Sequence, residues 1–431
     1  MVKQLIPFLL PSLLLAQDPG LSLPAAIRLA WERQPGLLAG AARVDQARAE
    51  ASAAWAGRLP TLKAEVGWSR TDEPLMAFGT RLDQGRITAA DFDPARLNAP
   101  DPITGVGASV TLRQPLYAGG RITAGQRAAE DLASASEARQ ARRRQEVAAA
   151  IVQAYFGVEV GAQGLQHAED ALQHARALES YVTARVNQGL MLKADQLRAQ
   201  AFRAQAEAEL ASARQRATMA KNALALWMGA PVPVDLSTPL KTTTTPEPTA
   251  TGSRSDLDAA RLESQAAQSA AKAEGGSLKP EVGLELGWGT ARPTFGITGA
   301  TWTNVSVGAR WTFSFAQTRR VQASRAAARA AQESVRWQEA QADQQRGDSI
   351  AALEASESRV KAAEEALAAA GEARRLTEAR FESGLLPLTD RLDAETRLAG
   401  VRGLYLSSLL ELRVAEAQNA LAEGRPVEGI Q

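Results

Sequence analysis

The stretch ARVNQGLMLKADQLRAQ, residues 184–200, has a counterpart in ARFESGLLPLTDRLDAE, residues 379–395. In each stretch a helical pattern of Ala, Leu and charged residues stops at Gly-Leu and resumes at an Asp. Glycine permits the positive φ that ends many helices, and Asp is favoured in the first turn of the helix that follows. The two stretches therefore predict two helical hairpins. Their starts lie 195 residues apart (379 − 184), which indicates an internal duplication.

Four shorter runs alternate between apolar and polar residues, with the period of two that is expected of a β-strand. The runs are residues 61–68, 106–113, 281–288 and 304–315. One side of the runs is apolar and includes three Trp residues, whereas the other side carries charged residues. These charged residues include Lys63, Glu65, Arg113, Glu281, Glu285 and Arg310. The pattern is typical of a barrel with lipid outside and a polar interior, although the strands of a soluble β-sandwich alternate in the same way.

Long segments without proline lie between the strands and the hairpin turns. No proline occurs in residues 116–230 or 294–386, and both segments are rich in the strong helix formers Ala, Leu, Arg, Glu and Gln. A helix over residues 121–186 would be about 100 Å long at about 1.5 Å per residue. Abundant Ala lets such helices approach closely, as in coiled coils. A coiled-coil structural protein without a pore is an alternative, but it leaves the four strands unexplained.

The composition excludes several classes of function. The chain has 431 residues, 45% of them hydrophobic, and a formal net charge of +1, so it has no overall bias toward nucleic acid. It contains no cysteine, which excludes thiol catalysis, thiolate metal sites, disulfides and a lipoprotein anchor on an N-terminal cysteine. The sequence shows no catalytic triad, metal cluster or nucleotide motif. It therefore predicts neither catalytic residues, nor metal ligands, nor a cofactor.

The N-terminal residues 1–16 have the order of a secretory signal peptide. Lys3 precedes the apolar residues 5–15, and the small residue Ala16 precedes a polar segment. No later stretch is apolar over the roughly 20 residues that a membrane-spanning helix needs. We therefore expect an exported protein whose strands meet the membrane. Since four strands cannot close a barrel and open edges are not tolerated in hydrocarbon, several chains must contribute strands.

A Thr- and Pro-rich segment, residues 241–253, is predicted to be a linker between two structural repeats. The first repeat covers residues 17–240 and the second covers residues 254–431. Each repeat is predicted to contain a helix, two strands, a long helix, a turn and a further helix.

Several segments in this order resemble the TolC family of outer-membrane efflux proteins. They are LSLPAAIRLAWERQPGLLAG (21–40), QPLYAGGRITAGQRAA (114–129), FSFAQTRRVQASRAA (313–327) and the two hairpin turns. The resemblance covers almost the entire chain after the predicted signal peptide. It implies a mixed α and β membrane protein of the bacterial outer membrane. In a homotrimer, each chain would give four strands to a twelve-stranded β-barrel, continued by a long periplasmic α-helical barrel of coiled-coil helices.

The same resemblance implies partners and a function. An inner-membrane pump and a periplasmic adaptor, also called a membrane fusion protein, would dock at the hairpin turns. The other contacts would be with outer-membrane lipid, and none with nucleic acid. The chain would be the passive exit duct of a tripartite efflux system for small molecules. An exit duct for type I protein secretion is the alternative, because the turns do not separate the two.

The resemblance also assigns roles to acidic residues at the turns. Asp390 and Asp393 match the family's pair of aspartates at the periplasmic aperture, and Asp195 matches a residue that helps to hold the aperture closed. The position four residues before Asp390 is Leu386, where the best-known members have an arginine. We therefore expect other contacts to hold the aperture closed. The alternative is that Asp390 and Asp393 only stabilise the start of a helix.

The turns themselves resemble the family's adaptor-docking tips. The residues concerned are Gly189 and Leu190 in the first turn, and Gly384 and Leu385 in the second. The alternative reading of the glycines is ordinary turn chemistry. An exposed leucine next to such a turn is not required by that chemistry.

Overall fold

The computed structural model describes residues 20–232, 236–240, 252–297 and 299–427. The predicted signal peptide and most of the predicted linker lie outside these residues. The elements are α1 (Leu23–Arg33), α2 (Pro35–Ala56), β1 (Thr61–Thr71), α3 (Pro74–Asp83), a 3-10 helix (Ala89–Phe92), α4 (Pro94–Asn98), β2 (Ile103–Ala118), α5 (Arg121–Asn187), α6 (Lys193–Met228), α7 (Ser255–Gly276), β3 (Glu281–Arg292), β4 (Ala300–Arg310), α8 (Phe315–Glu382) and α9 (Leu388–Ala422). In the described part of the chain, no helix combines the length and hydrophobicity needed to cross a membrane.

Residues 23–55 have the residue spacing of one continuous helix, but in the structure they form two helices. Pro35 has no backbone N–H, and its ring disfavours helical geometry in the preceding residue. Gln34 is accordingly extended, with ψ 119°, and its N–H still bonds to the carbonyl of Ala30. The chain therefore breaks between α1 and α2.

The four predicted strands form one antiparallel sheet in the order β1-β2-β3-β4. Residues that pair across neighbouring strands share a face of the sheet. One cross-strand row is Leu62, Leu112, Leu286 and Val305, and the adjacent row is Lys63, Thr111, Gly287 and Asn304. We call the face of the first row the apolar face and that of the second the polar face.

The apolar face is bare in the single chain. Val66 of β1 is 71% exposed and Val305 of β4 is 72% exposed. A β-sandwich would bury such residues beneath a second sheet, and the described residues form only this one sheet. The alternation therefore does not arise from a sandwich core within the chain.

The fourth strand ends earlier than its alternation suggests. The pattern continues to residue 315, but β4 ends at Arg310 and α8 begins at Phe315. Ser314 explains the change, because its hydroxyl accepts from the N–H of Gln317 while the Gln317 side chain accepts from the N–H of Ser314. This reciprocal pair is a capping box, which starts a helix.

The described residues fall into two compact units. One unit comprises residues up to 42, residues 138–257 and residues from 339 onward. The other comprises residues 43–137 and 258–338, and contains the sheet. Each unit therefore draws segments from both of the predicted sequence repeats.

The core of the first unit includes residues of α1, α5, α6 and α9. Tyr155 is fully buried there, and its hydroxyl donates to the Leu21 carbonyl at 2.6 Å and accepts from the Thr238 N–H at 2.9 Å. A buried hydroxyl without partners would cost on the order of 1–3 kcal/mol. Because both bonds are made, Tyr155 holds the segments around Leu21 and Thr238 against α5 without this cost.

Candidate functional site

Both predicted hairpin turns form, and their backbones are nearly identical. After α5, Gly189 has φ 72°, and after α8, Gly384 has φ 73°. In the first turn the N–H of Gly189 bonds to the Val186 carbonyl at 3.0 Å, and the N–H of Leu190 bonds to the Arg185 carbonyl at 2.9 Å. The second turn repeats both bonds in the same register. This is the Schellman pattern, in which a glycine with positive φ closes the helix.

The leucine after each glycine points into open space. Leu190 is 61% exposed and Leu385 is 74% exposed. In a Schellman turn this position often makes an apolar contact with the residue five places earlier. Here those residues are Arg185 and Arg380, and the leucines stay largely exposed. The turn chemistry accounts for the glycines, and leaves the leucines without a role inside the chain.

The two helices that follow the turns begin differently. Asp195 and Asp390 both occupy the third position of their helices, α6 and α9. Asp195 reaches back to accept from the N–H of Leu192 at 3.4 Å. The equivalent of Leu192 in the second turn is Pro387, which has no N–H to donate. Asp390 therefore lacks the bond that ties Asp195 to its own helix start, and its side chain is exposed.

One turn of helix further on, the two hairpins carry opposite charges. Arg198 pairs with Asp195 at 3.1 Å in the first hairpin. The equivalent residue in the second is Asp393, which is exposed and makes no ion pair or side-chain hydrogen bond within the described residues. Residues three apart on a helix are neighbours. The first tip therefore carries an internal ion pair, whereas the second presents two adjacent carboxylates, Asp390 and Asp393.

The two hairpins pack against each other just behind the turns. A buried cluster takes residues from all four helices: Leu178 and Val182 of α5, Ala199 of α6, Phe381 of α8 and Leu388 of α9. The rings of Tyr181 and Phe381 meet edge to face, with centroids 6.0 Å apart. Such an aromatic pair contributes about 0.5–1.5 kcal/mol beyond its buried area. The two tips are therefore held together as one surface.

Ion pairs brace the second hairpin. Arg374 of α8 bonds to Glu378 at 3.0 Å and to Glu395 of α9 at 2.8 Å, and Glu378 also bonds to Arg391 of α9 at 2.8 Å. These four side chains are only partly exposed, so their network is screened less than a surface pair. The chain therefore links α8 to α9 without help from Leu386.

The first hairpin has a comparable brace. Arg203 of α6 bonds to Glu179 of α5 at 2.8 Å and to Glu207 at 2.7 Å. Hydrogen bonds from Arg203 and then Arg176 hold the pKa of Glu207 below its ordinary value. A carboxyl group with a depressed pKa contributes stability above its unfolded pKa and loses it as the pH falls through the folded pKa. The brace is therefore complete at neutral pH and weakens only in acid.

Sequence reasoning identified the turn residues but missed these braces and the aromatic contact. Arg374 and Glu395 are 21 residues apart, so their pairing depends on the register of the two helices. The described part of the chain has no group of three or more His, Asp and Glu side chains suited to a metal ion. The exposed groups at the tips are the leucines Leu190 and Leu385 and the carboxylates Asp390 and Asp393.

Several solved structures of membrane proteins have a similar fold. The chain matches a membrane protein from Pseudomonas aeruginosa with a TM-score of 0.81 and 20% identity, covering 94% of this chain and 91% of that one. It matches the outer membrane protein VceC from Vibrio cholerae with a TM-score of 0.77 and 20% identity, covering 94% and 96%. It matches the open state of the Neisseria gonorrhoeae MtrE outer membrane channel with a TM-score of 0.79 and 21% identity, covering 94% and 89%.

A comparison of the sequence with curated proteins gave no match. The family model for outer membrane efflux proteins matches residues 26–230 and 248–423. These two ranges take in both hairpins, the four strands and most of the chain between them. The chain therefore belongs to the outer membrane efflux protein family.

Proposed function

We propose that three copies of the chain close a twelve-stranded barrel in the outer membrane. The support comes from the sheet, whose outer strands β1 and β4 each have one edge that no other described strand pairs with. Unpaired strand edges are not tolerated in hydrocarbon, so β4 of one copy must pair with β1 of the next. The exposed apolar face then meets lipid, and the polar face lines the lumen.

Within this trimer the chain serves as the passive exit duct of a tripartite efflux system. The long helices continue the duct into the periplasm, as the family resemblance implies, and the hairpin tips form its inner end. The observation that carries the proposal is the pair of exposed carboxylates, Asp390 and Asp393, on the second tip. Three copies would bring six carboxylates around one axis, a ring of the kind that binds and selects cations.

The proposal assigns gating to the two hairpins. In the closed state the tips stand close enough for the carboxylate ring to narrow the opening. Movement of the two joined tips away from the axis would widen it, and an adaptor bound to the tips would stabilise that arrangement. The driving energy comes from an inner-membrane pump, since neither sequence nor described structure offers a nucleotide or redox site.

Two measurements on the full chain test this function. In outer-membrane fractions it should migrate as a trimer that dissociates on heating, and in planar bilayers it should give discrete single-channel currents. A protein that reaches the outer membrane but gives neither result contradicts the duct. Identification of the adaptor that co-purifies with the tagged chain distinguishes small-molecule efflux from type I protein secretion.

Leu190 and Leu385 are the proposed anchors for the adaptor. Replacing both with Ser should abolish small-molecule export and crosslinking to the adaptor, because each replacement removes an exposed apolar contact worth roughly 1.5–3 kcal/mol when fully buried. Single-channel conductance should stay unchanged, since neither side chain supports the buried cluster. The matched control is Met219→Ser, because Met219 of α6 is as exposed as Leu190, at 61%. Export that survives the double replacement, or is lost equally in the control, would contradict the docking role.

A further inference from the structure

The segment between β1 and β2, residues 72–102, folds into a small body that we call the insert. The sequence suggests only a polar, Pro-containing loop there, but the structure has α3, a 3-10 helix and α4. Arg81 of α3 bonds to Asp91 at 2.6 Å, and Asp91 also accepts from the N–H and hydroxyl of Thr88. The bonds from Thr88 and then Arg81 hold the pKa of Asp91 below its ordinary value, so the carboxylate stays charged at neutral pH. The insert therefore holds its own shape.

The insert packs on the polar face of the sheet. Gly105 of β2 pairs with Ser69 of β1, in the same alternating set as Lys63 and Glu65. A methyl group at Gly105 would come within 2.9 Å of the Thr80 side chain of α3, so glycine is needed for this close approach. Helix α3 therefore lies on the side of the sheet that we assign to the lumen.

A buried glutamine fastens α3 to the rim of the sheet. The Gln84 side chain is almost fully buried, and its amide donates to the carbonyl of Thr104 at 2.8 Å and to that of Arg292 at 3.3 Å. Thr104 lies at the start of β2 and Arg292 at the end of β3. This is the end of the sheet where β1 runs into the insert, and it faces the cell exterior in the proposed duct.

The opposite face of α3 is apolar and uncovered. Ala77, Thr80, Arg81 and Gln84 make up the face toward the sheet and the rest of the insert. Leu75, Met76 and Leu82 lie on the other side of the helix, where Leu75 is 77% exposed and Leu82 is 56% exposed. Residues 75, 79 and 82 fall on one stripe at helical spacing, and position 79 is a glycine with open space around it. Nothing in the described chain covers this stripe.

We propose that the α3 helices of three copies meet at the axis of the barrel and form an apolar seal at its outer mouth. The proposal rests on the trimeric duct proposed above. A helix fixed by one face to the lumen wall must turn its other face away from that wall, toward the other two copies. The exposed stripe of each chain is therefore covered by the same stripes of the two neighbouring chains. A hydrophobic constriction of this kind opposes ion flow by excluding water.

The absence of cysteine allows a direct test of this seal. In full-length Leu82→Cys protein in outer membranes, a short bis-maleimide should link two of the three chains into a covalent dimer. The matched control is Val66→Cys, which places the thiol on the apolar face of the same sheet and should give no dimer. Leu75→Cys provides a second position on the stripe in case Leu82→Cys fails to assemble.

Conductance supplies the second readout. In planar bilayers, Cd²⁺ should lower the conductance of Leu82→Cys channels by about twofold or more, because thiolates close to one axis can share one ion across the constriction. EDTA should restore the current, and Val66→Cys channels should not respond. Assembled Leu82→Cys and Leu75→Cys channels that conduct but neither crosslink nor respond to Cd²⁺ overturn the seal. A wild-type protein that forms no heat-dissociable trimer in outer-membrane fractions would instead overturn the duct.

Discussion

Replacing Asp390 and Asp393 together with Ala should raise the single-channel conductance severalfold and abolish block by trivalent cations. Both carboxylates are exposed at the second tip, and Asp393 has no partner within the described chain. Two like charges this close on an exposed helix cost a single chain only about 0.2–0.5 kcal/mol, and the helix N-terminus offsets that cost. In the proposed trimer six such carboxylates crowd around one axis, where bound cations offset their repulsion. Neutral side chains remove both the repulsion and the cation site.

The first hairpin supplies the matched control. Asp195 stands at the equivalent helix position, but it is held by the N–H of Leu192 and by Arg198. Asp195→Ala should cost helix stability, by about 0.3–1 kcal/mol for a lost carboxylate in the first turn, with little change in cation block. The measurement is single-channel recording with trivalent cations added on the side of the tips. An aspartate pair whose removal leaves both conductance and block unchanged is not the aperture.

Asp390→Asn and Asp393→Asn, made singly and together, separate charge from size. If repulsion and cation binding govern the opening, the amide variants should behave like the alanine variants, because the volume is nearly kept while the charge is lost. If the side chains close the aperture by bulk, the amides should behave like the wild type. The first outcome would assign Asp390 and Asp393 an electrostatic role, and the second would assign them a steric role.

Much of this tip could be predicted from the sequence because its determinants are local. Gly189 and Gly384 predict the turns, since a helix that ends in left-handed geometry strongly favours glycine. The difference between Asp195 and Asp390 was also readable, because Pro387 replaces Leu192 and proline has no N–H. The ion pairs of Arg374 could not be predicted from the local sequence pattern, because they depend on how two helices align over many residues.

The insert shows that the same limit applies when the fold is predicted from the sequence. Helices of 10 and 5 residues, such as α3 and α4, are too short to be stable alone, so their existence depends on contacts with the sheet. Pro74 and Pro94 at their first positions were the available signal, because proline is favoured there. In a segment with several prolines and glycines, that signal was indistinguishable from loop chemistry. The strands, in contrast, can be predicted from the alternation of apolar and polar residues, which also indicates which face is apolar.

The alternation also predicts a large difference between adjacent residues of β1. Val66→Arg should prevent stable trimers from accumulating in the outer membrane, whereas Glu65→Arg should be tolerated. An arginine on the lipid face of a barrel costs about 2–4 kcal/mol at the midplane of the bilayer. Threefold symmetry repeats that cost in every chain. Glu65 lies on the polar face, where an arginine remains in water and loses only its exposed pair with Lys63, which is worth about 0–1 kcal/mol.

The measurement is the amount of heat-dissociable trimer in outer-membrane fractions, with urea unfolding of the reconstituted protein as a check on stability. The two substitutions introduce the same side chain one residue apart, so a general intolerance of arginine in the strand would affect both equally. Equal loss in both variants would therefore contradict the assignment of the faces. Loss in Glu65→Arg alone would reverse it, placing Lys63 and Glu65 toward lipid and leaving the apolar rows to line the duct.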